Sequence, residues 1–210
     1  MKKTLSAAAA GACAAVLLTA CGSGESGDSG KIEGADSSPS ASASASSPGR
    51  DRPKIELPED IQLVFEDTKT GDPVKDAVLA DSAERIRAMD AAIVNADPDS
   101  PAVLFYSHRV AQASAQKSIK WYKDEGYSLT GTFRYYDREV SFDDDKTAVV
   151  TYCGDESKGF AKERDSGKVL KTPVRKTSYV RYVARQKKNA DGVWQTSHMR
   201  TERGAEACQP

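Results

Sequence analysis

The feature that most constrains this chain is a change of hydrophobic period at Gly126. Upstream, Leu79, Ala83, Ile86, Met89 and Ile93 recur at helical spacing. They follow Asp72-Pro73, an N-cap residue and a proline suited to the first helical position. Asp97-Pro98 closes that helix, and Ser100-Pro101 opens a second running to about Glu125, with Val103, Tyr106, Val110, Ala113 and Trp121 on its apolar side. Downstream the alternation has period two, which predicts strands at Leu129–Phe142, Thr147–Cys153, Val174–Gln186 and Val193–Thr201. Asp143-Asp144-Asp145 and Asn189-Ala190-Asp191-Gly192 read as hairpin turns between them. Before the helices, Lys54–Glu66 reads as an extended or short helical piece whose Ile61, Val64 and Phe65 pack on the body. Helices first and strands second make the fold class α+β, with helices on a four-stranded antiparallel sheet.

The segment that carries these periods is residues 54–210. Residues 1–20 follow the secretory pattern: Lys2 and Lys3, a small apolar stretch from Ala7 to Ala20, then a small-residue cleavage site. Leu18-Thr19-Ala20-Cys21 resembles a bacterial lipobox, which implies cleavage before Cys21 and diacylglycerol attachment to its thiol. Two acyl chains are enough for stable attachment, so the expected location is the extracytoplasmic face of the cell membrane. Residues 21–53 hold the lipidated cysteine and a tether. Of the 32 residues from 22 to 53, 23 are Gly, Ser, Ala or Pro, too little apolar surface to offset the entropy of ordering. As a random coil the tether reaches about 30 Å, which keeps the domain near the lipid headgroups.

Charge and length exclude several classes. The 30 Lys and Arg against 31 Asp and Glu leave a net charge of -1, unlike a nucleic-acid binder working through bulk positive charge. No apolar run reaches the roughly 18 residues of a membrane span. The neutral total conceals an asymmetry: residues 59–110 carry 11 acids and 5 bases, residues 161–210 carry 12 bases and 5 acids.

The order of elements, the final strand opening on Asp191-Gly192-Val193-Trp194, and the pair Tyr152-Cys153-Gly154-Asp155 and Glu206-Ala207-Cys208 resemble NTF2-like (SnoaL-like) domains of actinobacterial lipoproteins. The resemblance covers most of residues 72–208 and implies a curved sheet wrapped round helices, a cone that is sometimes a pocket. The cysteines are similar to that group's pair.

With Cys13 removed and Cys21 lipidated, Cys153 and Cys208 remain, and a compartment that sustains disulfides favours their bridging over a redox role, for which CxxC spacing is absent. His108 and His198 are too few for a zinc site and match no catalytic signature. Asp143-Asp144-Asp145 lacks the alternation of a calcium loop. No cofactor and no metal is therefore expected. If the cone is open, Tyr136, Tyr182, Trp194 and His198 are its expected lining, His198 sharing a strand face with Trp194 and Thr196. Arg175, Arg181, Arg185 and Lys187 share the opposite parity, either as the solvent face of a sheet or as a contact for anionic lipid or an acidic envelope polymer.

The expected function is a non-catalytic, lipid-anchored binding or scaffold module for an envelope polymer or protein partner. The alternative is a small-molecule binder or cryptic enzyme using the cone. Cys21→Ala should move the protein from the membrane to the soluble fraction on detergent phase partition; retention in the membrane would contradict the lipidation.

Overall fold

The computed structural model describes residues 51–210. The signal peptide, Cys21 and nearly all of the tether lie outside the described residues. Arg52, which composition assigns to the tether, is already part of the folded body: its guanidinium pairs with Asp81 and donates to the Tyr106 hydroxyl at 3.3 Å.

The first helix, α1 (Pro73–Val94), starts where the sequence places it. The Asp72 carboxylate caps it by accepting the backbone N–H groups of Val74 and Lys75 at 2.8 and 3.2 Å. Its last carbonyls are taken by a distant cation, since Arg164 donates to Val94 O at 2.6 Å and to Ile93 O. The predicted second helix is two: α2 (Pro101–Tyr106) and α3 (Arg109–Asp124). They separate because a strand claims the backbone between them. His108 N–H donates to Thr196 O at 2.8 Å, Ser107 forms a bridge with Thr196, and Arg109 turns through a φ of 51°. The break resets the helical phase. Val103 and Tyr106 are buried as predicted, but Val110 and Trp121 are 59% and 52% exposed, and Ala113 is exposed as well. Ala111, Ala115 and Ile119 form the inward stripe instead.

The sheet has six strands, not four, and it is mixed. Its order is β1 (Ile61–Phe65), β2 (Tyr127–Asp144), β3 (Thr147–Glu163), β5 (Tyr179–Lys188), β6 (Trp194–Arg203), with the two-residue β4 (Val169–Leu170) beside the far end of β3. The stretch before the helices is extended and runs parallel to β2, Ile61 opposite Gly131 and Phe65 opposite Tyr135. Ile61 is buried there, whereas Val64 is 41% exposed. All other strand-to-strand pairings are antiparallel, the isolated Ser107–Thr196 bridge being parallel. Strand β3 continues ten residues past the predicted end at Cys153. Gly154 and Gly159 within it serve close packing: a Cβ on Gly159 would meet the Phe133 ring, and one on Gly154 the Tyr182 ring.

The core lies between α1 and the concave side of the sheet. Leu79, Ile86, Ile93, Val150, Ala184 and Trp194 are buried there. A smaller cluster sits on the other side, where Cys153 and Cys208 are joined with a Cα separation of 5.5 Å. Tyr136 packs on that bridge and donates to Cys208 O at 2.5 Å. The bridge ties the C-terminal 3-10 turn (Glu206–Cys208) to β3 across a sequence separation of 55 residues. Cys208→Ser should lower the free energy of unfolding by roughly 2–4 kcal/mol in guanidinium titrations.

Candidate functional site

Bulges decide which side chains reach the concave face. A side chain changes face wherever the register gains a residue. Between Tyr136 and Glu139 of β2 the register slips, with Asp137 at a φ of 48°, and Arg138 turns into the interior behind Tyr135. Opposite Phe133 the partner strand β3 carries two residues, Glu156 and Ser157, between Asp155 and Lys158. Glu156 accepts the Tyr182 hydroxyl at 2.6 Å and pairs with Arg203 at 2.7 Å. Between β5 and β6, Ser197 is the extra residue, so Met199 rather than His198 follows Trp194 and Thr196 on the inner face.

An aromatic row therefore crosses four strands: Phe65 stacks on Tyr135 at 5.1 Å, Tyr135 meets Tyr152 edge-on at 6.0 Å, and Tyr152 stacks on Tyr182 at 4.9 Å. Against it α1 presents Asp90 and Arg85, 9% and 8% exposed. Asp90 Oδ2 has no hydrogen-bond partner. Burial first, and repulsion from Glu156 second, push the Asp90 carboxyl up to about 7. Burial likewise pushes the Tyr152 hydroxyl up to about 12, against the pull of Arg85 and Arg138, and raises Tyr135 and Tyr182 well above their ordinary value. Tyr122 of α3 is raised as well, by burial and then by the negative charges of Glu156 and Asp90. At neutral pH these phenols stay protonated and act as donors. Beside this layer lies an open cavity of about 430 Å³, lined by Tyr122, Leu129, Phe133, Glu156, Phe160 and Arg203 among others. Its volume falls within the range of small-molecule sites. The cavity itself offers apolar walls, the Tyr122 phenol as a donor and the Glu156–Arg203 pair, and the Asp90 carboxyl lies near enough to Glu156 and Tyr122 to interact with both.

Of the four expected lining residues, Tyr182 alone is in this layer. Tyr136 is on the opposite side with the disulfide. Trp194 is 1% exposed and belongs to the sealed core, where its backbone N–H donates to Asp81 Oδ2 at 2.8 Å. His198 is exposed beside Arg185, turned outward by the bulge at Ser197. The basic stripe is also revised. Arg175 precedes a 3-10 turn (Lys176–Ser178) rather than lying in β5, and it lines the cavity rim. Arg181, Arg185 and Lys187 are exposed on the outer side, Arg185 paired with Asp143 at 2.6 Å. Among the described residues no group of three His, Cys, Asp or Glu side chains has the spacing to hold a metal ion.

The residue missed in sequence had a signal. Positions 79, 83, 86, 90 and 93 form an unbroken four-three spacing, and Asp90 is the acid within that apolar stripe.

No protein-family model matches the chain, and no curated protein matches it. Solved structures do. A ketosteroid isomerase-like protein from Erwinia carotovora atroseptica is 18% identical, over 64% of this chain and 98% of that one, with a TM-score of 0.44. An NTF2-like superfamily protein from Salmonella enterica serovar Typhimurium is also 18% identical, over 63% of this chain and 94% of that one, with a TM-score of 0.39. The likeness is one of fold. Neither protein speaks to the chemistry of this chain.

The Asp90 environment sets a pH dependence. Because its carboxyl titrates near 7 when folded and near its ordinary 3.8 when unfolded, the folded state holds more protons between those values. Stability should therefore fall as pH rises through that window, by about 4 kcal/mol for the three-unit shift. Asp90→Asn should remove this part of the slope and exceed the wild type in stability above pH 7, as measured by urea unfolding at pH 5 and pH 8.

Proposed function

We propose that this protein is a lipid-anchored extracytoplasmic binding protein whose cone holds a small molecule. The anchor and location rest on the N-terminal sequence, and the disulfide accords with an oxidising compartment. The observation that carries the reading is the open cavity, two of whose lining residues, Glu156 and Tyr122, lie close enough to the buried Asp90 carboxyl to interact with it. Asp90 Oδ2 is buried and has no hydrogen-bond partner. Buried polar groups ordinarily find partners. A bound molecule with an apolar body and one or two hydrogen-bonding groups would supply them.

A second reading, proton transfer at a bound substrate, is favoured by one observation: Asp90 is poised to ionise near neutral pH, where a general base is most effective. Contact with an anionic envelope polymer is a separate proposal. It now rests on Arg181 and Lys187, since Arg185 has an acid partner and Arg175 is elsewhere.

Ala161 lies opposite Leu129 in the sheet and lines the cavity, so a large side chain there fills it. Saturation-transfer NMR on the full-length protein in nanodiscs, with 4-ethylphenol as the probe, should show binding to the wild type and none to Ala161→Trp. No binding to the wild type, or equal binding to both, would contradict a ligand in the cone.

A further inference from the structure

The larger apolar side chains of α3 face away from the core. Ala111, Ala115 and Ile119 are buried, while Val110 and Trp121 are 59% and 52% exposed. Two rings hold Trp121 where it is: it meets Tyr122 edge-on at 5.0 Å and Tyr127 at a tilt at 6.3 Å. Neither contact takes it out of water. An indole presented in this way adds little to the core, yet its apolar ring and polar N–H suit a boundary that is wet on one side only.

The place of Trp121 in the fold is specific. Tyr122, the next residue, lines the open cavity, and so do Pro173 and Arg175 on the connection between β4 and β5. Between those two, Val174 is 60% exposed, the most exposed of the large apolar side chains among the described residues. Trp121 and Val174 therefore stand beside one cavity, on two different elements that border it. The sheet register agrees. Tyr127, which touches Trp121, pairs with Glu163, and two residues away Ala161 pairs with Leu170 of β4. The end of α3 and the β4–β5 connection thus share one end of the sheet.

That end is positively charged. Residues 117–125 and 163–176 hold 8 Lys and Arg against 4 Asp and Glu, although the whole chain stands at -1. Of the acids, Asp124 is taken by Lys120 at 2.8 Å, and Glu163 accepts the Ser166 hydroxyl at 2.5 Å. Lys168, Lys171, Arg175 and Lys176 are exposed and enter no ion pair among the described residues. Exposed cations interleaved with an exposed tryptophan match an anionic bilayer: the surface potential attracts the cations, and indole rings settle at headgroup level. The tether, with its reach of about 30 Å, holds the body close to the headgroups without choosing which side faces them. Resting on the reading of this protein as lipid-anchored, we propose that Trp121, Val174 and the cations around β4 dock on an anionic lipid surface, so that the cavity opens toward the headgroups.

The mature lipidated protein in nanodiscs carries its own reporter, because its other tryptophan, Trp194, is 1% exposed. Discs of phosphatidylglycerol and phosphatidylcholine, brominated on the acyl chains close to the headgroups, should quench roughly a third or more of the emission, since an interfacial apolar face lies about 5–10 Å deep. Trp121→Phe should remove the quenched component. Lys171→Glu combined with Lys176→Glu should abolish the quenching with an unchanged near-ultraviolet circular dichroism spectrum, as should about 1 M salt, which shortens the screening length to about 3 Å. No quenching in a protein that stays with the disc would overturn the docking and leave the anchor standing. Quenching that survives the charge reversal would overturn the role of the cations. Trp121 shielded from aqueous iodide but not reached by bromine, with two copies in each disc, would give the face to a second copy and overturn the lipid. A protein that leaves the disc would overturn the anchor, and the docking with it.

Discussion

The curvature of one hairpin governs this molecule. Strands β2 and β3 are 18 and 17 residues long, far beyond the usual strand, and a twisted pair of that length cannot stay flat against a single helix. The chain bends it with register slips along β2 near Phe133, Asp137 and Asp143. Each slip also exchanges inner for outer side chains downstream. The same devices that curl the sheet round α1 thus choose what α1 is packed against: Tyr135 and Arg138 from β2, and Glu156 rather than Ser157 at the partner of Tyr182.

Two kinds of interior result. Toward the start of α1, Trp194 closes the space, and Asp81 is consumed by Arg52 and the Trp194 backbone, so a buried acid acts as structure. Asp81 is nonetheless raised by burial, which outweighs Arg52. Toward the end of α1, Asp90 has no such partner, and an open cavity lies beside its neighbours Glu156 and Tyr122. Burying a carboxyl without a partner sacrifices stability, a trade common at binding sites. The outer disulfide, which fastens the C-terminus to the middle of β3, offsets part of that loss.

The sequence made the two halves of the fold plain because each obeys one period over a long stretch. The N-cap Asp72 and the Asp144 and Asn189 turns were legible because each depends on local chemistry alone, and the cysteine pair because only two cysteines were left to pair. What escaped depends on distant chain. Nothing within Pro101–Asp124 announces that Thr196 will claim the backbone at Ser107 and His108. Parity arguments failed past Ser197, because a bulge is set by the partner strand, and so His198 went outward. Strand β1 was too short to distinguish from a helix until Gly131 and Tyr135 gave it a neighbour. The site itself was legible only in retrospect, as an acid in an apolar stripe.

The central claim is that the buried Asp90 carboxyl near the cavity is left unpaired by the protein and is kept for a ligand. Its most direct test is the ionisation of Asp90, followed by the carboxyl ¹³C shift in protein labelled at aspartate, with Asp90→Asn to assign the resonance. A midpoint near 7 is expected for an unpartnered, buried carboxyl. A midpoint near 4, the value of an acid already paired or wet, would contradict it.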